Sequence, residues 1–81
     1  MTYEEFVELV KQSYYEYCNI SEEYPMEKVE EDFKTDSAKY YLNAFFGYRK
    51  KFDSGEYTLE SFKRNCVDTV AYNMFMDSLE D

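Results

Sequence analysis

The 81-residue sequence contains no histidine and no tryptophan, only two glycines and one proline, and only two cysteines. Without histidine it lacks the commonest general base and the commonest metal ligand, and it cannot build a Ser-His or Cys-His nucleophile pair. Its glycines, Gly47 and Gly55, are isolated and form no glycine-rich loop that could bind a phosphate. We therefore expect a protein that is not an enzyme and that uses no cofactor.

The cysteines and the glutamate clusters give no metal-binding pattern. Cys18 and Cys66 are far apart and belong to no CxxC or Cys/His motif, so we expect buried, reduced thiols. Glu27, Glu30 and Glu31 share one side of a short helical segment and could present oxygen ligands to calcium or magnesium. Because no calcium-loop motif accompanies them, we expect a solvated acidic face and no bound metal.

Membrane-targeting patterns are also missing from the sequence. It does not begin with a charged stretch followed by an apolar one, and no apolar run approaches the roughly 20 residues of a transmembrane helix. We expect a cytoplasmic protein that makes no contact with a membrane.

The scarcity of turn-forming residues, together with many apolar ones, predicts long helices with short connections. Apolar residues make up 44% of the chain and aromatic residues 21%, which is enough for one core at this length. We predict a single all-α domain over residues 1–81, folded as a compact bundle of about four helices.

Two helices are predicted in the first 34 residues. Thr2 followed by Glu5 matches a capping box, and apolar residues at 3.6-residue spacing extend the first helix to Cys18. Pro25 suits the first turn of a short second helix with an acidic outer face. The apolar edge of this helix consists of Met26, Val29 and Phe33.

Two more helices are predicted after the second. Capping residues at 35–37 precede a third helix over residues 37–53, which Ser54 and Gly55 end. Thr58 is the predicted N-cap of a fourth helix, whose apolar stripe continues to Leu79.

Aromatic side chains are more numerous than so small a core can enclose. Eight lie on the apolar stripes and are predicted to be in the core: Tyr3, Phe6, Tyr14, Phe33, Tyr41, Phe45, Phe52 and Phe62. Four more lie next to stripe residues and cannot all point inward, so some of them must be at least partly exposed: Tyr15, Tyr40, Phe46 and Tyr72. Exposed tyrosine next to charge is typical of protein interfaces.

The net charge of −9 arises from 18 acidic and 9 basic side chains. Residues 1–38 contain 11 acidic and 3 basic side chains, residues 39–64 contain 3 and 6, and residues 65–81 contain 4 and none. Such a field repels nucleic acid and anionic lipid and attracts basic proteins, so we expect no direct nucleic-acid binding. We expect the basic middle segment to neutralise the acidic helices, although it could also complement helix ends or form a small anion-binding patch.

The acidic first half mixes carboxylates with tyrosines, and rows of carboxylates can take the place of phosphates in a basic groove. The sequence therefore predicts a non-enzymatic module that binds a basic protein partner. Its most concrete form is an inhibitor that occupies a nucleic-acid-binding groove, of the anti-CRISPR or anti-restriction type. The predicted partner-binding residues are Tyr15, Glu16, Glu22, Glu23, Tyr24, Glu27, Glu30, Glu31 and Asp32.

Two other hypotheses are open at this point. A structural or adaptor subunit, such as a homo-oligomer, would bury the surplus aromatic side chains, and its acidic face would serve only solubility. Its association would be insensitive to salt. An enzyme without histidine would need a concave pocket in which two carboxylates converge.

Overall fold

Four helices and one short helical turn, joined by short connections, make up the part of the chain that the computed structural model describes, residues 1–20 and 22–79. These residues contain no strand, which confirms the all-α prediction. None of the described helices is long and apolar enough to cross a membrane. The helical segments are α1 (Tyr3–Cys18), α2 (Met26–Asp32), α3 (Asp36–Phe46), α4 (Arg49–Asp53), α5 (Leu59–Phe62), a π-helical segment (Lys63–Val67) and α6 (Asp68–Leu79).

The last three segments follow one another without interruption and form one helix, the C-terminal stretch, residues 59–79. Its predicted N-cap at Thr58 is confirmed, and the helix extends at least to Leu79, the last residue of the predicted apolar stripe. The π-helical segment within it, residues 63–67, was not predicted. Cys66 and Val67 lie in this wider turn and are buried, with 3% and 2% of their surface exposed.

Side-chain caps begin three of the helices, as predicted. The Thr2 hydroxyl accepts the amide of Glu5 at 3.1 Å, and the Glu5 carboxylate accepts the amide of Thr2 at 3.0 Å. The hydroxyls of Thr35 and Thr58 each accept the amide three residues later, both at 3.1 Å. Each cap satisfies an amide that its helix leaves without a partner, which contributes about 1 kcal/mol.

The prediction of one third helix over residues 37–53 is wrong, because the helix is interrupted at Gly47. α3 ends at Phe46, and α4 begins at Arg49 as a short separate turn. Between them the amide of Tyr48 bonds to the carbonyl three residues back, at 3.0 Å, rather than four. Glycine has a low helix propensity, so the backbone tightens there and the α-helical pattern stops.

The buried side chains form one cluster between α1 and the C-terminal stretch, with α2 and α3 closing its sides. Phe6 and Phe62 lie at the centre, with ring centroids 6.1 Å apart. Cys18 and Cys66 are buried free thiols, as predicted. The buried apolar residues are Phe6, Val10, Tyr14, Cys18, Val29, Phe33, Ala38, Leu42, Phe62, Cys66, Val67, Val70, Ala71 and Met74.

Half of the aromatic residues predicted in the core are buried, and the others lie at its edge. The half-buried ones are Tyr3, Tyr41, Phe45 and Phe52. Among the surplus aromatics, Tyr40 and Tyr72 are exposed, whereas Tyr15 and Phe46 are half-buried. Met26, predicted on the apolar edge of α2, is exposed instead.

Replacing the two glycines by alanine is predicted to have opposite effects on stability. Gly47 has helical angles (φ −58°, ψ −28°) and open space where a Cβ would lie. Gly47→Ala should raise the free energy of unfolding by about 0.5–1 kcal/mol, because alanine favours helix and restricts the unfolded chain. Gly55 has a φ of +84°, which alanine adopts only with strain. Gly55→Ala should therefore lower the free energy of unfolding by about 1 kcal/mol. Urea unfolding followed by circular dichroism measures both, and changes of the same sign would contradict this account.

Candidate functional site

One carboxylate at the end of α2, that of Asp32, connects the predicted partner-binding segment to the core. The hydroxyl of Tyr14 donates a hydrogen bond of 2.8 Å to Asp32 Oδ2, and the hydroxyl of Tyr24 donates to the same oxygen. Tyr14 is 1% exposed, whereas Asp32 and Tyr24 are half-buried. This network links α2, and the segment before it, to α1.

A second set of hydrogen bonds fixes the connection between α1 and α2. The Asn19 side-chain amide donates to the carbonyls of Tyr15 and Tyr24, at 2.7 and 3.0 Å. Its oxygen accepts the amide of Tyr24 at 2.9 Å. Three residues predicted to contact a partner, Tyr15, Tyr24 and Asp32, therefore make contacts within the fold.

Burial disfavours ionisation of the tyrosines in this network and of both thiols. Burial, with the hydrogen bond to Asp32, raises the pKa of Tyr14 far above its ordinary value and that of Tyr24 to about 12. Burial also raises the pKa of Cys18, and that of Cys66 to about 11. Near neutral pH all four groups keep their protons, so these phenols are poor general bases and these thiols are poor nucleophiles.

The remaining glutamates of this region form what we call the acidic face, which consists of Glu22, Glu23, Glu27, Glu30 and Glu31, all of them exposed. Within residues 1–20 and 22–79 one ion pair reaches this face, from Lys11 to Glu30 at 3.9 Å. Lys28, on the same helix, lies over the Tyr24 ring, 5.8 Å from its centroid. No three cysteine, aspartate or glutamate side chains in the described part of the chain are placed to hold a metal ion. The face therefore presents separate carboxylates to solvent.

Glu16 does not belong to the acidic face, although it was predicted with those residues. It lines a cleft with Lys63 and Asp68, on the flank of α1 that faces the C-terminal stretch. α2 packs on a different flank, where Lys11 and Tyr14 reach it. The nine predicted residues thus divide into five on the acidic face, three that contact the rest of the fold (Tyr15 by packing on the core, Tyr24 and Asp32 by hydrogen bonds), and Glu16 alone.

The basic middle segment does not pair directly with the acidic helices. Arg49 and Arg64 lie 3.9 and 3.5 Å from carboxylates four residues away on the chain, those of Asp53 and Glu60. In the described ranges no ion pair joins residues 39–64 to α1 or α2. The expected neutralisation by direct pairing with this segment is therefore not found there, and the short-range positive charge near the acidic face comes from Lys11 and Lys28.

A small cleft between the end of α2, α3 and α6 brings two carboxylates together. It has a volume of about 160 Å³, and Asp32 and Asp77 both line it. Ser37 donates a hydrogen bond of 2.8 Å to Asp77, as the tyrosine hydroxyls do to Asp32. Both carboxylates already accept hydrogen bonds, and the cleft is smaller than typical small-molecule sites of about 300–1,000 Å³. This geometry favours a packing junction over a catalytic pocket.

No protein-family model, curated protein or solved structure matches this chain. A role for the protein has to be inferred from its own surface, charge and contacts.

Tyr14 and Asn19 are important to this site, although neither is among the predicted partner-binding residues. The helical spacing of Tyr14 predicts only that it lies in the core. A buried tyrosine hydroxyl needs a hydrogen-bond partner, and Asp32, at the end of the predicted neighbouring helix, was an available acceptor. The need of the Tyr14 hydroxyl for an acceptor is thus a sequence signal that Asp32 belongs to the fold and not to the partner-binding residues.

Loss of the Tyr14 hydroxyl is predicted to destabilise the fold. Tyr14→Phe should lower the free energy of unfolding by about 1–2 kcal/mol, because it removes a part-buried hydrogen bond to a charged acceptor. Tyr40→Phe is the matched control, since Tyr40 is 71% exposed, and its effect should stay within about 0.5 kcal/mol. Urea unfolding of both variants measures the difference. Equal effects would contradict the role given to the network.

Stability is also predicted to decline in alkali. The pKa of Tyr24 rises from 10.0 to about 12 on folding, so the unfolded state loses this proton first. The resulting stabilisation is complete below pH 10 and is lost as the pH rises through about 12. In Asp32→Asn, which lacks the charge that helps raise this pKa, the decline should be shallower. Urea unfolding midpoints of both proteins, measured from about pH 9 to about pH 12, test this prediction. If the midpoint falls with pH equally steeply in the two proteins, the role given to the network is wrong.

Proposed function

We propose that this protein is a non-enzymatic module that binds a basic protein through its acidic face. In its most concrete form it is an inhibitor that occupies the nucleic-acid-binding groove of that partner, as inhibitors of the anti-CRISPR or anti-restriction type do. The supporting observation is that five exposed glutamates lie on a segment that hydrogen bonds attach to the core. In the described residues one of the five, Glu30, forms an ion pair, with Lys11 at 3.9 Å. We place this activity in the cytoplasm.

The spacing of the carboxylates supports mimicry of nucleic acid. Glu27 and Glu31 are four residues apart on α2, which is about 6 Å along the helix axis. Successive phosphates of one strand are separated by about 3.4 Å along a duplex axis, so these two carboxylates would take the place of every second phosphate. Lysine and arginine side chains that normally contact phosphates can reach carboxylates at this spacing.

Rigidity of the acidic face supports affinity. The Tyr14 and Tyr24 hydrogen bonds to Asp32 fix one end of α2, and the Asn19 amide fixes the segment before it. Groups that are ordered before binding lose less conformational entropy when a partner arrives. The net charge of −9 also accelerates the encounter with a basic protein.

The absence of a catalytic role is part of the proposal. The thiols of Cys18 and Cys66 and the phenols of Tyr14 and Tyr24 hold their protons near neutral pH. The carboxylates of the small cleft accept hydrogen bonds from hydroxyl groups of the same chain. Groups engaged in this way are poorly suited to proton transfer or nucleophilic attack.

A second candidate is a structural subunit that associates with copies of itself. It is favoured by an apolar stripe on α6, where Tyr72, Met76 and Leu79 are 47%, 42% and 63% exposed. The ring of Tyr17 lies 5.8 Å from that of Tyr72 and extends the stripe onto α1. Association through such a surface would persist at high salt, because apolar contacts are not screened.

A pull-down from cell lysate separates the two candidates. The tagged protein is incubated with lysate, with and without nuclease treatment, and bound proteins are eluted by a salt gradient and identified by mass spectrometry. We expect a basic nucleic-acid-binding protein that is retained after nuclease treatment and elutes at moderate salt. Recovery of only the protein itself, or of a salt-resistant partner without basic character, would contradict the proposal.

Charge reversal on the acidic face is predicted to weaken that interaction. Glu27→Lys with Glu31→Lys should reduce affinity for the recovered partner by about tenfold to a hundredfold. The matched control is Glu56→Lys with Glu60→Lys, which changes the net charge equally at exposed positions elsewhere. Calorimetric titration of both double variants measures the loss. An equal loss in the control would indicate that net charge alone is responsible.

A further inference from the structure

A groove between the N-terminal half of α1, α4 and the start of α5 leaves apolar surface open to solvent. Its volume is about 570 Å³, and its floor is formed by Met1, Leu9, Phe52 and Leu59. Leu59 is 46% exposed, whereas Leu9 and Phe52 are half-buried and pack against the core. The Phe52 ring lies 5.7 Å from that of Phe62, so the floor is supported by the centre of the bundle.

One wall of the groove is acidic. Glu4, Glu5 and Glu8 line it along α1. Glu5 is fixed by the capping box with Thr2, whose hydrogen bonds lower the pKa of the Glu5 carboxyl. Among residues 1–20 and 22–79, the one ion pair to this wall is the Lys11 ammonium at 3.5 Å from Glu8. The wall therefore presents negative charge directly beside exposed apolar surface.

We propose that this groove binds an amphipathic, basic helix of a partner protein. Apolar side chains of that helix, spaced three and four residues apart, would pack on the floor beside Leu59, and its lysines or arginines would contact Glu4 and Glu8. The wall residues run from Glu4 to Gln12, about 12 Å along the α1 axis, which matches two turns of a helix. A second copy of this chain fits poorly, because both copies would have a net charge of −9.

The groove and the acidic face differ in what they recognise. The exposed apolar surface of α2 is limited to the side chain of Met26, which is 38% exposed, because Val29 is fully buried. The groove combines charge with a wide apolar surface, so it selects a helix by the spacing of its apolar residues as well as by its charge. The proposal therefore stands independently of the function proposed for the acidic face.

The probe is a fluorescein-labelled synthetic peptide of leucine and lysine, about 15 residues long, in an order that forms an amphipathic helix. Two control peptides keep its length, one with serine in place of leucine and one with glutamate in place of lysine. Fluorescence anisotropy with the full chain measures binding. We expect the leucine–lysine peptide to bind at least about tenfold more tightly than either control.

Two pairs of matched variants locate the binding surface. Glu4→Gln with Glu8→Gln should weaken peptide binding by about tenfold, whereas Glu27→Gln with Glu31→Gln, an equal charge change on the acidic face, should alter it less than about twofold. Leu59→Ser should weaken it by about tenfold, and Leu79→Ser, which removes a leucine 63% exposed outside the groove, should not. Circular dichroism confirms that each variant is folded.

Three results would overturn this proposal: equal binding of the serine peptide, equal weakening by the two glutamate pairs, or no effect of Leu59→Ser in a folded protein. Amide chemical shifts provide a second measurement, because bound peptide should shift Leu9 and Leu59 but not Glu27. If peptide binding is retained while the acidic-face variants lose their basic partner, both proposals are supported separately. If the groove variants bind the peptide as tightly as the unaltered protein does, while the acidic-face variants lose their basic partner, only this proposal is wrong.

Discussion

The carboxylate of Asp32 accepts hydrogen bonds from two tyrosine hydroxyls, and the position of α2 depends on this shared acceptor. α2 has seven residues, of which Val29 is buried. A helix this short is not stable alone in water, so its contacts with the rest of the bundle must maintain it. Burial of Val29 and Phe33 supplies the apolar part of these contacts, and Asp32 supplies a directional part that fixes the orientation of the helix.

The same arrangement separates two uses of acidic residues that are neighbours in the sequence. Glu31 and Asp32 are adjacent on α2, yet Asp32 bonds to Tyr14 and Tyr24 whereas Glu31 is exposed. One carboxylate stabilises the fold, and its neighbours are free to contact a partner. α1 provides the common support, because Tyr14 and Lys11 contact α2 and the glutamates near its start border the groove.

The helix starts were predictable from the sequence, whereas the two irregular stretches within the helices were not. The caps at Thr2, Thr35 and Thr58 were visible in the sequence because capping involves residues only three positions apart. The interruption at Gly47 depends on a small propensity difference that apolar spacing outweighed in the prediction. The π-helical turn over residues 63–67 has no local sequence pattern that we can identify.

In the candidate site, too, some features were predictable from the sequence and others were not. The high density of glutamates from Glu22 to Glu31 was evident from composition, and they are exposed as expected. The internal role of Asp32 was not evident, because Tyr14 lies 18 residues away in the sequence. The groove was also missed, since it exists only when Leu9 of α1 and Leu59 of α5 become neighbours in the folded chain.

Amide hydrogen exchange in the double variant Tyr14→Phe with Tyr24→Phe tests the central claim most directly, because it reports the stability of α2 separately from that of the core. If the Asp32 network fixes α2, the amides of Val29 and Phe33 should lose at least about tenfold more protection than those of Val10 and Val70. An equal loss at all four amides, or no change in α2, would contradict the claim that this carboxylate holds the acidic face in place.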